Sequence, residues 1–364
     1  MIIVNHENIN LIDNLDKVSY FHLNVIKLLS KYSEKLKVMY TADIFNHQRM
    51  LSRFSSVDKL RDYKIDLVII SLADHPTHFV DDLVYDELEA AGIPYVILTS
   101  YPSPNINSLY CPIWSLIFPT GPNMLIPTEN QTINSNRHYQ FSSLNNKCKI
   151  ERVFFAVESL KNSTIFNNSI ITLNKLDTKW SSFNESMRHI DALRMNFEAD
   201  SDSDSLQILN NKLLPTLPWT HPTIVMNDEV YLSCNNEAFT NTFVNIVIEY
   251  GSLTSFVSEK SLKPLVSGQL FINLGAVGTI QILKNLGFDT FDDIVDHTKY
   301  EHIDSFIRIR KAIHYLNEIK DFDWQDIYDS TRHRRLYNRQ LLLSGDIQNK
   351  FSQQLYNKIH EILR

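Results

Sequence analysis

Residues 256–297, FVSEKSLKPLVSGQLFINLGAVGTIQILKNLGFDTFDDIVDH, hold the residue types whose order most clearly suggests chemistry. Adjacent Glu259 and Lys260 open a short helical stretch. Lys263, Pro264 and Gly268 follow, then an apolar strand (FINL) and a turn from Gly275 to Gly278 that leads into a second helix. A carboxylate can accept both hydroxyls of a ribose, and an ammonium beside it can neutralise a diphosphate leaving group. Backbone N–H groups at a helix N-terminus add to such a phosphate site, and glycine lets the backbone approach a ligand closely. An acidic first turn is also what an ordinary solvated helix start looks like, and Gly-x-x-Gly turns are common. The chemistry suggested is the handling of an activated, phosphate-bearing donor.

Further candidates lie along the chain. Glu249 ends the apolar run FVNIVIEY, and carboxyl ends of parallel strands face the binding crevice of α/β sheets. It could orient a sugar or ribose, or cap the next turn. Asp74, His75 and His78 follow the run DLVIISL. Asp74 or His75 is suited to deprotonate an acceptor hydroxyl, while a helix N-cap equally explains Asp74. Two imidazoles without a third partner make no metal site. Asn5 and His6, after the first strand, share that address. Arg332, Arg334, Arg335 and Arg339, with Tyr337 among them in RHRRLYNRQ, could contact nucleic-acid phosphates. They could equally cap a helix C-terminus or form a solvated face. The acidic segment 200–205 reads as an exposed turn.

These residues need elements to position them, and the first half of the chain supplies alternating strand and helix signals. Strands are expected over 1–5, 36–40, 66–72 and 93–99, with helices over 20–32, 45–54 and 78–91, the last stopping at Gly92. The unbroken apolar run in 66–72 is the pattern of a parallel strand covered on both faces. Residues 101–150 are rich in proline and poor in periodicity, and the polar stretch 130–147 reads as a linker or loop. Beyond it, strands are expected over 152–157, 243–250 and 271–274, with helices from Thr164, over 307–319 and over 346–363. The fold class is therefore α/β. Two domains are expected: 1–150 on the acceptor side, 151–340 for the donor, and 341–364 as a last helix that could cross back to the first domain.

The segment 241–310 resembles a family of glycosyltransferase-like proteins common in phages and marine bacteria. It carries that family's order of IVIEY, FVSEKSLKPLVSG, FINLG and LGFDTFDDIVDH. The Ser-Glu-Lys core is similar to the donor motif of the family 10 fucosyltransferases. The resemblance covers about a fifth of the chain. It implies a GT-B fold, two Rossmann-like domains facing a cleft, with the donor in the C-terminal one. It also implies that Glu259 contacts the sugar nucleotide and Lys260 the diphosphate. Relatives carry an arginine motif on the first strand of the C-terminal domain. The matching position here is taken as VFFAVESLKNST, so Lys161 or Arg194 is the expected substitute. No permanently bound cofactor is implied, only a UDP-sugar or GDP-sugar as co-substrate.

Composition frames the rest. The 364 residues are 43% hydrophobic and 21% charged, as in an ordinary globular protein, and carry a net charge of −7. Three dispersed cysteines, Cys111, Cys148 and Cys234, form no metal pattern and read as reduced thiols. With no apolar run of membrane-spanning length and no signal peptide, a cytoplasmic location is expected, in the host if the gene is phage-borne, as an AT-rich residue bias hints. The expected activity is sugar transfer from a nucleotide-diphosphate donor, by a monomer or homodimer, to a glycan or a hydroxymethylated pyrimidine in DNA. The tyrosines, tryptophan and phenylalanine of 101–118 and the arginine cluster would serve a flipped base; the net acidity speaks against it. A non-catalytic nucleotide- or glycan-binding protein of the same fold is the alternative. Another α/β enzyme remains a third option, although no Gly-x-Gly-x-x-Gly follows the first strand.

Overall fold

The computed structural model describes residues 2–3, 38–42, 66–72, 86, 88–100, 105–112, 115–116, 126–133, 137–145, 148–173, 180–217, 234, 237–249 and 255–364. The chain divides into two compact units, 1–121 together with 344–364, and 122–343. The boundary thus falls near residue 121 and not near 150, and the last helix groups with the N-terminal unit.

In the first unit, β1 (Ile2–Ile3), β2 (Val38–Ala42), β3 (Leu67–Leu72), β4 (Tyr95–Thr99) and β5 (Ser108–Tyr110) pair in that order, all parallel. Leu67, Ile69, Val96 and Leu98 are wholly buried, as the two-sided burial of a parallel strand requires. The C-terminal helix Asp346–Ile362 buries Ile347, Phe351, Leu355 and Ile359, a stripe at four-residue spacing. Gln348 Nε2 donates to the Leu116 carbonyl at 2.8 Å, tying that helix to the unit.

The second unit begins with a short helix, α1 (Glu129–Ile133), and β6 (Tyr139–Asn145). Next come α2 (Ile150–Lys161), α3 (Ser163–Asn167), β7 (Ser169–Leu173), α4 (Trp180–Ala199), α5 (Ser203–Ile208) and α6 (Glu237–Thr240). Then comes β8 (Thr242–Val247), and residues 256–297 supply α7 (Glu259–Val266), β9 (Leu270–Asn273) and α8 (Thr279–Asn285). Three helices close the unit: α9 (Ser305–Ile319), α10 (Trp324–Ser330) and α11 (Arg332–Leu343). Its sheet is parallel in the order β7-β6-β8-β9, with Phe141 opposite Ser169 on one side and Val244 on the other. Both units are therefore α/β with parallel sheets, the Rossmann-like pair expected. Among the described residues no helix is long and apolar enough to cross a membrane.

Two expectations fail here for physical reasons. The stretch read as a linker contains β6, an inner strand of the sheet. It looks polar because its serines are buried and answered by neighbours: Ser142 Oγ accepts from Thr242 Oγ1 (2.9 Å) and Asn245 Nδ2 (3.0 Å), and Ser143 Oγ donates to the Ile246 carbonyl (3.0 Å). The strand read over 152–157 is the middle of α2. Residues 151–159 are all buried, and the short continuous apolar run 153–157 within them cannot be told from a buried strand by periodicity.

Candidate functional site

The sheet of the second unit reverses direction between β6 and β8. From β6 the chain crosses to β7 on one side, and β8 then pairs on the other side of β6 before β9 continues outward. Crevices outside the carboxyl ends of strands at such a reversal are where α/β sheets bind ligands. The helices that follow β6 and β8, α2 and α7, both start at that edge. They pack against different partners: α2 lies along α9, with Phe154 and Phe306 ring centroids 4.6 Å apart, while α7 lies against α11.

Alpha7 starts with a defined cap. Ser258 is extended, and its hydroxyl accepts from the Lys260 amide at 3.1 Å. That hydroxyl donates in turn to the Glu249 carboxylate (2.7 Å to Oε1), which also receives the Ser258 amide (3.1 Å) and the Ser261 hydroxyl (2.6 Å). Asn273, the last residue of β9, donates from Nδ2 to Ser261 Oγ at 2.7 Å and accepts the Gly275 amide at 2.8 Å. The Asn273 amide donates to the hydroxyl of buried Tyr300, which meets His297 Nδ1. Burial holds the His297 imidazolium below its usual pKa, against the pull of the Thr290 carbonyl and Asp292. One hydrogen-bonded chain therefore runs from His297 through Tyr300, Asn273 and Ser261 to Glu249 and the cap of α7.

The predicted donor residues separate on this frame. Glu259 is buried, and Lys260 Nζ pairs with its carboxylate while keeping about a quarter of its own side chain exposed. Lys260 is thus the member of the pair that meets solvent at the helix start. Glu249 is buried and engaged with Ser258 and Ser261, a brace beneath the turn. Lys263 points elsewhere: its Nζ lies 6.0 Å from the Phe239 ring centroid, on the helix that precedes β8, and desolvation lowers its pKa. Gly275 does sit at a close approach, since a Cβ there would lie 2.8 Å from Asn273 Oδ1 and 3.4 Å from Glu249 Cβ. Gly278 caps α8 with φ of +89°, a conformation that favours glycine, and donates its amide to Glu301.

Neither expected substitute for the arginine motif reaches this edge. Lys161 is the last residue of α2, a full helix away from the carboxyl end of β6, and pairs with Glu158 and Asp202, both at 3.1 Å. Asp202 also caps α5 through Ser205, so the acidic turn is a helix start. Arg194 lies late in α4 and is bound to Asp191 and Asn210. The reason is the misread strand: the first strand of this unit is β6, and the residues after it, not those around Lys161, face the reversal point. There Glu151 and Arg152 stand in the first turn of α2, both more than nine-tenths buried, with Glu151 Oε2 and Arg152 Nε lacking a hydrogen-bond partner among the described residues. Burial raises the pKa of the Cys148 thiol just ahead of the helix, and the Arg152 charge works against that rise. The sequence signal for Arg152 was a cation shortly after a strand, and it was hidden by assigning that residue to the strand itself.

The arginine cluster is a structural device. Arg334 holds Asp289 (2.6 Å) and Asp293 (2.7 Å). Arg335 is buried on the face of Tyr328 and donates to the carbonyls of Tyr328, Gly268 and Thr132. Arg339 donates to the Val266 and Pro127 carbonyls. Arg335 and Arg339 thereby cap the C-terminal end of α7, and of the four only Arg332 is exposed. The nucleic-acid contact expected of Arg334, Arg335 and Arg339 is not available to guanidinium groups held this way. Asp74, His75 and His78, with Asn5 and His6, lie outside the described residues.

No family model matches the sequence, and no curated protein matches it. Among solved structures the chain is similar to the glycosylation-associated protein Gap123 complex of Streptococcus agalactiae, at 11% identity and TM-score 0.39, covering 90% of this chain. It spans only 57% of that protein's chain. It is also similar to a glycosyltransferase from Rickettsia africae ESF-5, at 10% identity and TM-score 0.37, over 98% of both chains. A UDP-forming alpha,alpha-trehalose-phosphate synthase from Burkholderia vietnamiensis is similar at 8% identity and TM-score 0.37, over 94% of this chain and 77% of that one. All three likenesses are distant.

Proposed function

We propose that this chain is a glycosyltransferase that moves a sugar from a nucleotide-diphosphate donor, a UDP-sugar or GDP-sugar, to an acceptor hydroxyl. The observation that carries the reading is the flanking of one reversal point, between β6 and β8, by two helix N-termini. Each bears a cation in its first turn, Arg152 in α2 and Lys260 in α7. Helix N-termini and cations together suit a diphosphate. As the bond from the sugar to the diphosphate breaks, negative charge grows on the leaving oxygen. The Lys260 ammonium and the amide dipoles of α7 stabilise that charge. The base that takes the acceptor proton is assigned to Asp74 or His75 of the first unit.

With Arg334, Arg335 and Arg339 engaged inside the second unit, a glycan hydroxyl is favoured over a base in DNA as acceptor. The test is release of nucleoside diphosphate from a panel of UDP- and GDP-sugars, with and without glycan acceptors. Release that is lost in Lys260→Ala supports the reading. Binding of nucleotide without any release would instead mark a nucleotide-binding protein of this fold.

A further inference from the structure

Glu249 is a carboxylate buried beneath the first turn of α7, and its three donors all belong to that turn or its cap. The Ser258 hydroxyl has one proton. Because that proton goes to Glu249, the lone pairs of the oxygen are turned to the Lys260 amide, which donates at 3.1 Å. A hydroxyl free to rotate caps a helix in several orientations; one locked by a carboxylate caps it in one. Ser261, a turn further on, is fixed from both sides, donating to Glu249 and accepting from Asn273 Nδ2. The turn after β9 lies close by: a Cβ added at Gly275 would stand 3.4 Å from Glu249 Cβ, and the Gly275 amide donates to Asn273 Oδ1.

We propose that Glu249 is a positioning residue. It fixes the first turn of α7, and through it the Lys260 ammonium and the leading amides, in the orientation that receives a diphosphate. The proposal rests on the reading of that turn as the donor site. It differs from direct recognition of a sugar or ribose by Glu249, because the side chain is buried and, among the described residues, its carboxylate is held by Ser258 and Ser261 of the cap and first turn. Removing the charge relaxes the cap without deleting any group that touches the ligand. Glutamine at this position keeps the volume and places an N–H donor among three donors, which costs the turn its fixed geometry.

The experiment is calorimetric titration of UDP and of GDP into the native protein, Glu249→Gln, Lys260→Ala and the double variant. Hydrogen exchange of the peptide spanning 257–266 is followed in the same samples. The expected result is binding of one nucleoside diphosphate by the native protein, weakened about tenfold in Glu249→Gln, the loss of a charged hydrogen bond's worth of orientation. Exchange rises in 257–266 of that variant and stays unchanged in β8 and β9. In the Lys260→Ala background the glutamine substitution has little further effect on affinity, since it acts through the turn that carries Lys260. Equal losses in both backgrounds, or native affinity in a Glu249→Gln protein whose cap exchanges faster, would overturn the positioning role and leave the donor site standing. If the native protein binds neither nucleotide, the donor-site reading fails, and the positioning role falls with it.

Discussion

Replacing Arg334 with glutamine separates a structural arginine from a nucleic-acid contact. Arg334 grips Asp289 with Nε and Nη2 at 2.6 and 2.9 Å, and Asp293 with Nη1 and Nη2 at 2.8 and 2.7 Å. The Arg334 and Asp289 side chains are only 23% and 27% exposed, so a bidentate pair there contributes about 1 kcal/mol. Asp293 is 63% exposed, and screening reduces its share to about 0.3 kcal/mol. The guanidinium also sits 5.0 Å from the Phe291 ring centroid, worth about 0.5 kcal/mol at a partly open site. The variant should therefore lose about 1.5–2 kcal/mol at pH 7, read from urea midpoints at matched slopes.

The pH dependence adds a second constraint. Burial raises the Asp289 pKa, but the Arg334 hydrogen bonds and the Phe291 amide outweigh it, leaving the carboxyl below its usual range. For Asp293 the Arg334 hydrogen bonds are the largest influence, again downward. Carboxyls with depressed folded values contribute stability above their unfolded pKa, about 3.9, and lose it as pH falls through the folded value. The gap between native protein and variant should narrow from pH 5 toward pH 2. A gap that is negligible at pH 7, or constant down to pH 2, would refute this reasoning and return Arg334 to the surface-contact reading.

Other outcomes follow from the same contacts. Arg152→Met should leave stability unchanged or raise it by about 1 kcal/mol, since a buried guanidinium whose Nε is unanswered among the described residues is costly, while nucleoside diphosphate affinity falls. Lost stability with retained affinity would contradict that. Lys161→Ala should cost under about 1 kcal/mol and leave nucleotide affinity untouched; reduced affinity would restore Lys161 to the donor site. Gly268→Ala should destabilise by about 2–3 kcal/mol, because φ is +65° and the new Cβ would stand 2.3 Å from Thr132 Cγ2. Wild-type urea midpoints would refute it. Cys111, Cys148 and Cys234 are buried, and burial pushes the Cys148 and Cys234 thiols up to about 11 and about 12. Alkylation at pH 8 should be slow until the protein is unfolded, and rapid labelling of the folded chain would count against the buried placement.

Some of this was legible in the sequence and some was not. The unbroken apolar run at 67–72, the strand at 242–247 and the Ser258-Glu259-Lys260 helix start announce themselves, because apolar continuity and a capping serine are local signals. The strand β6 hides because its serines and the neighbouring Thr242, Asn245 and Gln269 satisfy one another across strands, pairings that no local window contains. The helix α2 hides for another reason: its continuous apolar run 153–157 reads as a short buried strand. Misplacing those two elements carried the expected phosphate cation to Lys161 and Arg194 and away from Arg152. The arginine cluster was ambiguous in sequence, since one run of charge serves a solvated face, a nucleic-acid groove or the capping of buried carbonyls. Only the positions of Gly268, Val266 and Tyr328 decide among these.

The measurement that bears most directly on the donor site is thermal stabilisation of the native protein and of Lys260→Ala by UDP, GDP, CMP and dTDP. At a hundredfold excess over Kd, a ligand that binds only the folded state adds about 2.7 kcal/mol, a readily detected rise in Tm. The site described here predicts a rise with one nucleoside diphosphate and its loss in Lys260→Ala, with the variant's own Tm near native. Equal stabilisation of native protein and variant would place the nucleotide elsewhere, and no stabilisation by any nucleotide would contradict the donor-site account outright.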